Sequence, residues 1–391
     1  MTAATITPTA WTDRKRYLWM LGFTVMLLPL QGAALAEKTG WSIFWWFGPL
    51  FIYTVIPLLD WLIGTDPVNP PESAVPALEH DSYYRYIVYI AVAVEYAIFI
   101  WGFGMIASGT LAWHEQLGLA VSIGGITGVS INTAHELGHK TTPLERWMAK
   151  LALAPVAYGH FYVEHNRGHH VRVATPPDPA SARFGESFWE FWPRTVFGSL
   201  ASAWDIEKKR LARGGKGPWT WENDNLQSWA MTVVLYAGMM AWFGWAIAPF
   251  LVIQAVYGFS LLEAVNYLEH YGLKRQQLAD GRYERCQPHH SWNSNHVVTN
   301  LFLYHLQRHS DHHANPTRSY QSLRHFDGTP QLPSGYASMI LLCYVPWLWF
   351  KVMDPRVVAH YKGDMSQANI KPSIRDAVIA RYAPQAQAKA A

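Results

Sequence analysis

Six long apolar stretches dominate the sequence, and each is about as long as a bilayer is thick. They span residues 17–36, 41–64, 84–107, 117–134, 228–247 and 250–267. A helix needs roughly 20 residues to cross the hydrocarbon core. Lipid cannot satisfy backbone polar groups, so such stretches fold as helices. The sequence therefore predicts an all-α integral membrane protein with a six-helix transmembrane bundle.

The polar remainder of the chain predicts a helical and loop cap that carries a histidine-rich dimetal site. The expected segments are an N-terminal tail (1–16), four spans (17–137), a histidine-box segment (138–227), two spans (228–270), a cap (271–382) and a linker-like tail (383–391). The apolar run 336–353 contains Pro346 and predicts a membrane-surface or buried helix.

Basic residues orient this bundle. Arg14, Lys15 and Arg16 precede the first stretch, and most other Lys and Arg fall in 138–227 and 271–391. Basic loops stay in the cytoplasm, so both termini and both polar segments are expected there. The first stretch also fits a secretory signal ending at Ala34-Leu35-Ala36. A retained anchor is favoured because further apolar spans follow it.

Composition excludes several classes of protein. The only cysteines, Cys286 and Cys343, form no CxxC pair, which argues against a zinc ribbon or a thiolate-bound iron site. A net charge of +3 is too small to indicate a nucleic-acid-binding surface. Eighteen histidines are the unusual feature, and most lie in the polar segments.

Nine of these histidines form one pattern of three clusters and one singleton. The sequences are HELGH (135–139), HNRGHH (165–170), LEHYG (268–272) and HSDHH (309–313). Spacings of three and four residues place imidazoles on one helical face, where they can share a metal. Nine imidazoles exceed the needs of one ion and suit two. The candidate ligands are His135, His139, His165, His169, His170, His270, His309, His312 and His313.

Acidic and amide side chains accompany the clusters. A metal-bound imidazole usually donates its second N–H to a carboxylate or carbonyl, which fixes its tautomer. Glu136, Glu164, Glu269 and Asp311 are expected in this orienting role first and as possible ligands second. Asn266 and Glu263, in the helix before His270, are expected in the orienting role. His160 and His305 are further candidates, and His289, His290 and His296 are expected to be structural.

A mid-span carboxylate, a set of glycines and a basic run each have two possible interpretations. Glu95 lies mid-span and is either functional or paired with a neighbour such as Asn132. Glycines in the fourth span line a substrate channel or, more simply, allow close helix packing; they are Gly118, Gly124, Gly125 and Gly128. A basic run docks an acidic electron carrier or holds anionic lipid; it comprises Lys208, Lys209, Arg210, Arg213 and Lys216.

Four longer segments carry a family resemblance. They are NTAHELGHK (132–140), EHNRGHHVRVATPPDPASARFGE (164–186), NYLEHYGL (266–273) and LQRHSDHHANPTRSYQSLR (306–324). At these residues the sequence resembles the histidine-box membrane di-iron superfamily, and within it the bacterial alkane 1-monooxygenase family.

The resemblance implies two non-haem iron ions held by the nine histidines, with no haem, flavin or nucleotide. It implies O2-dependent terminal hydroxylation of linear alkanes to primary alcohols in the bacterial inner membrane. Rubredoxin, as a separate chain or fused beyond the tail, is the implied electron donor.

Rival functions remain at this stage. Desaturases and aromatic side-chain hydroxylases share the histidine boxes. HELGH also matches the HExxH signature of zinc proteases, with Glu136 as the base. A protease or a histidine-using metal transporter leaves most of the matching histidines unexplained.

Overall fold

The computed structural model describes residues 11–390, with side chains described through residue 383. The predicted N-terminal tail 1–16 therefore lies mostly outside the described residues, as does Ala391. Helices and loops make up the described chain, and it contains no β-strand beyond isolated bridges. The all-α prediction is confirmed.

The helices follow one another with short connections in the first half of the chain. In chain order they are α1 (Gly22–Met26), α2 (Leu28–Thr39), α3 (Ser42–Ile63), α4 (Val75–His80), α5 (Ser82–Ala107), α6 (Trp113–Gly138), α7 (Pro143–Leu153), α8 (161–172), α9 (Phe188–Ala212), α10 (Asp224–Phe243), α11 (Trp245–His270), α12 (Val297–Phe302), α13 (His309–Ala314), α14 (Tyr336–Cys343), α15 (Pro346–His360) and α16 (Arg375–Ala390).

Four helices are long and apolar enough to cross a membrane: α3, α5, α6 and α11. A bent pair, Leu18–Met26 and α2, adds a fifth crossing if the pair counts as one span. The predicted span 228–247 coincides largely with α10, which does not join this set among the described helices. The chain is thus a membrane protein with four or five evident spans, and the count of six stays a prediction.

The first predicted span is not a straight helix. Its two parts meet at Leu27 with a bend of 60°. Pro29 stands at the start of α2 and has no backbone N–H to donate into the preceding turn. Proline is a usual cause of so sharp a bend. The apolar pattern alone predicted one continuous helix.

Close packing of α6 against α11 organises the centre of the bundle. A Cβ atom at Gly258 would lie 2.9 Å from the carbonyl oxygen of Gly124, and one at Gly124 would lie 2.5 Å from that of Gln254. Only glycine permits backbones this close. At Gly124, therefore, the glycine of the fourth predicted span allows close helix packing. The two helices end at His135–His139 and His270, so their crossing positions both sites.

The last third of the chain wraps this pair. α14 and α15 break at Pro346, and α14 packs into the same core as the end of α11, which matches the predicted buried helix at 336–353. Residues 383–390 continue α16 as a helix, and the linker role of this tail stays a prediction. Alanine, the strongest helix former, is frequent there.

Replacing Gly258 by valine should push α6 and α11 apart. The added side chain meets Gly124, Thr127 and Val156 at 2.8–2.9 Å, so we expect a loss of about 1–3 kcal/mol, as for other overpacked cores. Thermal unfolding of purified protein in detergent measures the loss. Gly238→Val is the matched control, because a Cβ atom there meets nothing within 4 Å. Equal melting temperatures for the two variants would contradict this account of the crossing.

Candidate metal centre

The nine predicted histidines gather into two neighbouring groups at one end of the bundle. Within each group, one ring nitrogen per residue lies within 4.8 Å of the others. The five-histidine group comprises His135, His139, His165, His170 and His312. The four-histidine group comprises His169, His270, His309 and His313. The clusters HNRGHH and HSDHH each contribute histidines to both groups. HELGH contributes only to the five-histidine group, and His270 only to the four-histidine group.

Local backbone geometry decides how α8 divides its histidines. Residues 164–169 form a π-helical turn, in which hydrogen bonds run from residue i to i+5. This wider turn brings His165 and His170 to one side, where their Nε2 atoms lie 3.0 Å apart. His169 faces the other group, with its ring 5.0 Å from that of His313. Spacing rules for an ordinary α-helix do not predict this division.

The Nε2 atoms of the five-histidine group form a chain of close approaches. His135 to His312 is 2.9 Å, His312 to His170 is 3.1 Å, and His165 to His139 is 3.2 Å. Each Nε2 carries either a proton or a lone pair, so one atom cannot serve two such neighbours as hydrogen bonds. Nitrogens about 3 Å apart are what results when several imidazoles each sit at about 2.1 Å from one ion.

The four-histidine group shows the same convergence. His309 Nε2 lies 3.2 Å from His270 Nε2 and 2.8 Å from His313 Nε2. His169 Nε2 is buried and has no hydrogen-bond partner among the described residues. A buried, unpaired nitrogen is costly unless something satisfies it. A cation held by the four nitrogens would do so, and the donor set therefore fits a metal.

Burial also sets the protonation of these side chains. Loss of water around His139, His165 and His309, together with the charge of neighbouring histidines, lowers the pKa of each well below that of a free imidazole. The same holds for His170, His312 and His313. These six imidazoles are therefore neutral at physiological pH, which is the state that binds metals.

Two carboxylates outside the nine contact imidazoles. Asp178 is fully buried and accepts a hydrogen bond from His169 Nδ1 at 2.9 Å. Glu269 lies 3.2 Å from His309 Nε2, and its other oxygen accepts from the Tyr336 hydroxyl at 2.8 Å. Glu269 was predicted; Asp178 and Tyr336 were not. Asp178 lies in the PPDPAS stretch, nine residues beyond His169, where no helical spacing indicates contact.

The other predicted orienting residues have different partners. Glu136 pairs with Lys140 at 2.8 Å. Asp311 accepts from the Arg318 guanidinium and the Arg324 backbone N–H, and so anchors the loop after α13. The structure thus directs both carboxylates away from the imidazoles.

The remaining polar residues border the five-histidine group without touching it. Glu164 accepts from Arg172 at 2.6 Å, and burial raises the pKa of Glu164 to about 7. Glu263 accepts from Tyr158, Thr195 and Asn266 at 2.7–3.2 Å. His160 lines a small cavity with His165, His169 and these residues, and its Nε2 atom has no partner among the described residues.

Two further expectations differ from the structure. His305 lies beside Lys15, 2.9 Å from its Nζ atom, and stacks edge-on against Trp19, away from both groups. Glu95 does not pair with Asn132, whose side-chain amide donates instead to the Leu303 carbonyl at 2.6 Å. Within the described residues both carboxylate oxygens of Glu95 lack a partner.

An apolar cavity leads from the bundle to both histidine groups. It reaches His135 and His165 of one group and His309 of the other. Its volume is about 90 Å³, several times what one water needs, and its walls are almost entirely hydrocarbon. They include Val25, Ile52, Ile56, Val129, Leu261, Val265 and Phe302. The cavity suits a narrow apolar ligand rather than a peptide or an ion.

The amino-acid sequence is similar to those of known proteins. The fatty acid desaturase family model matches residues 111–342. Alkane 1-monooxygenase of Acinetobacter baylyi is 48% identical over 95% of this chain and 91% of its own length. Alkane 1-monooxygenase 1 of Alcanivorax borkumensis is 49% identical over 94% and 91%. The chain belongs to the alkane 1-monooxygenase family.

Family membership narrows the function classes left open by the histidine boxes. The hydroxylase component of a Pseudomonas putida xylene/toluene monooxygenase is similar at only 27% identity, over 66% of this chain. Membership in this family makes the chain an oxidoreductase of the alkane monooxygenase type. A desaturase, an aromatic side-chain hydroxylase and a zinc protease are not favoured.

Removing the Asp178 carboxylate should weaken metal binding by the four-histidine group. Asp178→Asn keeps the shape but lacks the charge that holds the His169 N–H, so we expect metal affinity to fall by about 10–100-fold. Metal retained during dialysis against a graded chelator measures the change. Asp205→Asn is the matched control, because Asp205 is exposed and pairs only with Lys209. Unchanged retention in Asp178→Asn would remove Asp178 from this role.

Proposed function

We propose that the chain is a di-iron monooxygenase that converts linear alkanes to primary alcohols with O2 and electrons from reduced rubredoxin. The observation that carries the proposal is the apolar cavity that ends on both histidine groups. Nine converging imidazoles support two iron ions, and the kinship with alkane 1-monooxygenases supports the substrate. Iron, when bound, supplies the oxygen activation and redox chemistry.

The protein binds its substrate through burial alone. An alkane has no polar handle, and each methylene transferred from water contributes about 0.8 kcal/mol. Val129 of α6 and Leu261 of α11 wall the cavity between the helices, while His135 and His309 stand at its polar end. A linear chain in so narrow a cavity lies lengthwise and presents a methyl group to the centre. This geometry accounts for attack at the terminal carbon, although secondary C–H bonds are weaker.

The surroundings of the centre exclude water and hold its protons. Glu269 sits between His309 and the Tyr336 hydroxyl, and all three border the cavity. Asp178 keeps the proton on His169 Nδ1, which leaves Nε2 free to bind metal. All of these side chains are buried. The substrate therefore meets the site without bulk solvent.

We place the centre on the cytoplasmic side of the bacterial inner membrane, from the basic segments 138–227 and 271–391. Rubredoxin, separate or fused beyond the tail, reaches it there. Of the basic run proposed for docking, Lys208, Lys209, Arg213 and Lys216 are exposed. Arg210 pairs with Glu207, Lys216 with Glu222 and Lys209 with Asp205, so these three contribute less free charge to a partner or to anionic lipid.

Product analysis with metal quantification tests the function. Purified protein in nanodiscs receives rubredoxin, its reductase, NADH, O2 and a series of linear alkanes. We expect primary alcohols and about two irons per chain. His313→Ala, which removes one nitrogen of the four-histidine group, should lose iron and most alcohol formation. Unsaturated products, or zinc with no oxygen-dependent turnover, would contradict the proposal.

Narrowing the cavity should change which alkanes are accepted. Ile56 lines the cavity and is buried, so Ile56→Trp is expected to shorten the longest alkane converted and to leave short-chain turnover within about 10-fold, the cost of roughly 1.4 kcal/mol. Leu58→Trp in the same helix is the control, since Leu58 is exposed. Competition between alkanes of different length measures the shift. The same chain-length profile in both variants would argue against this cavity as the substrate path.

A further inference from the structure

A third group of metal-ligand type lies outside the nine histidines. Glu284, His289 and His290 each bring one ligand atom within 4.8 Å of the others. The sequence predicts only a structural role for the two histidines. They lie in the loop that follows α11, on a side of the cap with its own cavity.

The loop holds the Glu284 carboxylate in a fixed position. The Glu284 backbone N–H donates to the Gln276 carbonyl at 3.0 Å, and Arg275 Nε donates to the Glu284 carbonyl at 2.6 Å. The Gln276 N–H donates to Glu284 Oε1 at 2.7 Å. Backbone and side chain are therefore both restrained before any ligand arrives, which lowers the entropic cost of binding.

His290 is oriented toward that carboxylate. It is buried, and the Gln287 N–H donates to its Nδ1 atom at 2.9 Å, which makes Nδ1 the acceptor nitrogen. Its Nε2 atom lies 3.2 Å from Glu284 Oε1. Burial lowers the pKa of His290 to about 4, so the ring is neutral. A metal ion would replace the single proton on Nε2, as metals do when they bind histidine.

The third ligand opens the group to solvent. His289 is exposed, and its ring lies 4.1 Å from that of His290 within the turn Pro288–His290. All three residues line a cavity of about 350 Å³. Coordination positions not filled by protein therefore face water, as in metal sites that exchange ligands.

We propose that Glu284, His289 and His290 form a third, exchangeable site for a first-row divalent cation such as Fe²⁺ or Zn²⁺. Two imidazoles and one carboxylate with open positions are a donor set that these ions accept. Lys274 and Lys362 also line the cavity and oppose a cation, so the site binds more weakly than the buried centre.

The site adjoins the buried centre through one backbone group. The His290 carbonyl lies 3.4 Å from Nδ1 of His270, a member of the four-histidine group. A cation bound by the His290 side chain would restrain the turn that presents this carbonyl. Cytoplasmic metal thus has a surface site next to the centre, separated from it by a single residue.

Zinc titration of the iron-loaded protein tests the proposal. Equilibrium dialysis with Zn²⁺, with iron measured on the same samples, should show one zinc bound per chain with no loss of iron. Glu284→Gln and His289→Ala should each weaken zinc binding by at least about 10-fold, because each removes a ligand. His325→Ala removes an imidazole outside the group and should change nothing.

Three outcomes would overturn the third site. The first is the absence of a saturable zinc equivalent beyond the irons. The second is zinc uptake that displaces iron, which places the zinc in the buried centre. The third is equal weakening by all three variants, which indicates scattered surface histidines. His289 is exposed and Glu284→Gln preserves shape, so melting temperatures of both variants are expected to match that of the unsubstituted protein.

Discussion

The convergence of nine buried or half-buried imidazoles is the constraint on which this end of the structure depends. Nitrogen lone pairs about 3 Å apart repel one another, and buried polar atoms without partners cost about 1–3 kcal/mol each. A cation in each group would turn this cost into binding energy. A bound metal would then act as part of the fold, and the segments that carry the histidines would gain their stability together with it.

Close packing of two long helices brings the histidines together. α6 and α11 approach closely at Gly124 and Gly258 and deliver His135 and His270 to the same end. α8 and α13 are short and would not be stable alone. They are fixed by the metal-ligand groups and by pairs such as Arg308 with Asp66, which lie 2.9 Å apart in the interior. The long helices α6 and α11 thus position three histidines of the nine, and the short helices α8 and α13 supply the six others.

The sequence predicted the members of the site better than its arrangement. Spacings within three clusters pointed to eight of the nine histidines, because helical periodicity is a local property, while the singleton His270 has no such spacing. The division into five and four depends on the π-helical turn of α8, which no spacing reveals. Glu136 and Asp311 look equivalent to Glu269 in sequence, yet only Glu269 contacts an imidazole, since tertiary packing decides the partner.

Carboxylate contacts fail as predictions for a physical reason. A residue beside a ligand in the chain points elsewhere on the helix, whereas Asp178 contacts His169 from nine residues further along the chain. The shape of the first span has the same limit: Pro29 bends an apolar stretch whose pattern predicts one continuous helix. Local pattern thus predicts which residues take part, and nonlocal packing decides what each touches.

The apolar cavity and the polar centre impose opposite demands on the same few residues. His309 borders hydrocarbon on one side and three nitrogen or oxygen partners on the other. A hydrocarbon wall cannot satisfy an imidazole, so the polar contacts of His309 come from the few polar side chains at this point of the cavity. Glu269 contacts His309 Nε2 and accepts from the Tyr336 hydroxyl, and both Glu269 and Tyr336 also line the cavity. Substrate shape and metal geometry are therefore coupled through these two residues, and a change in either alters both.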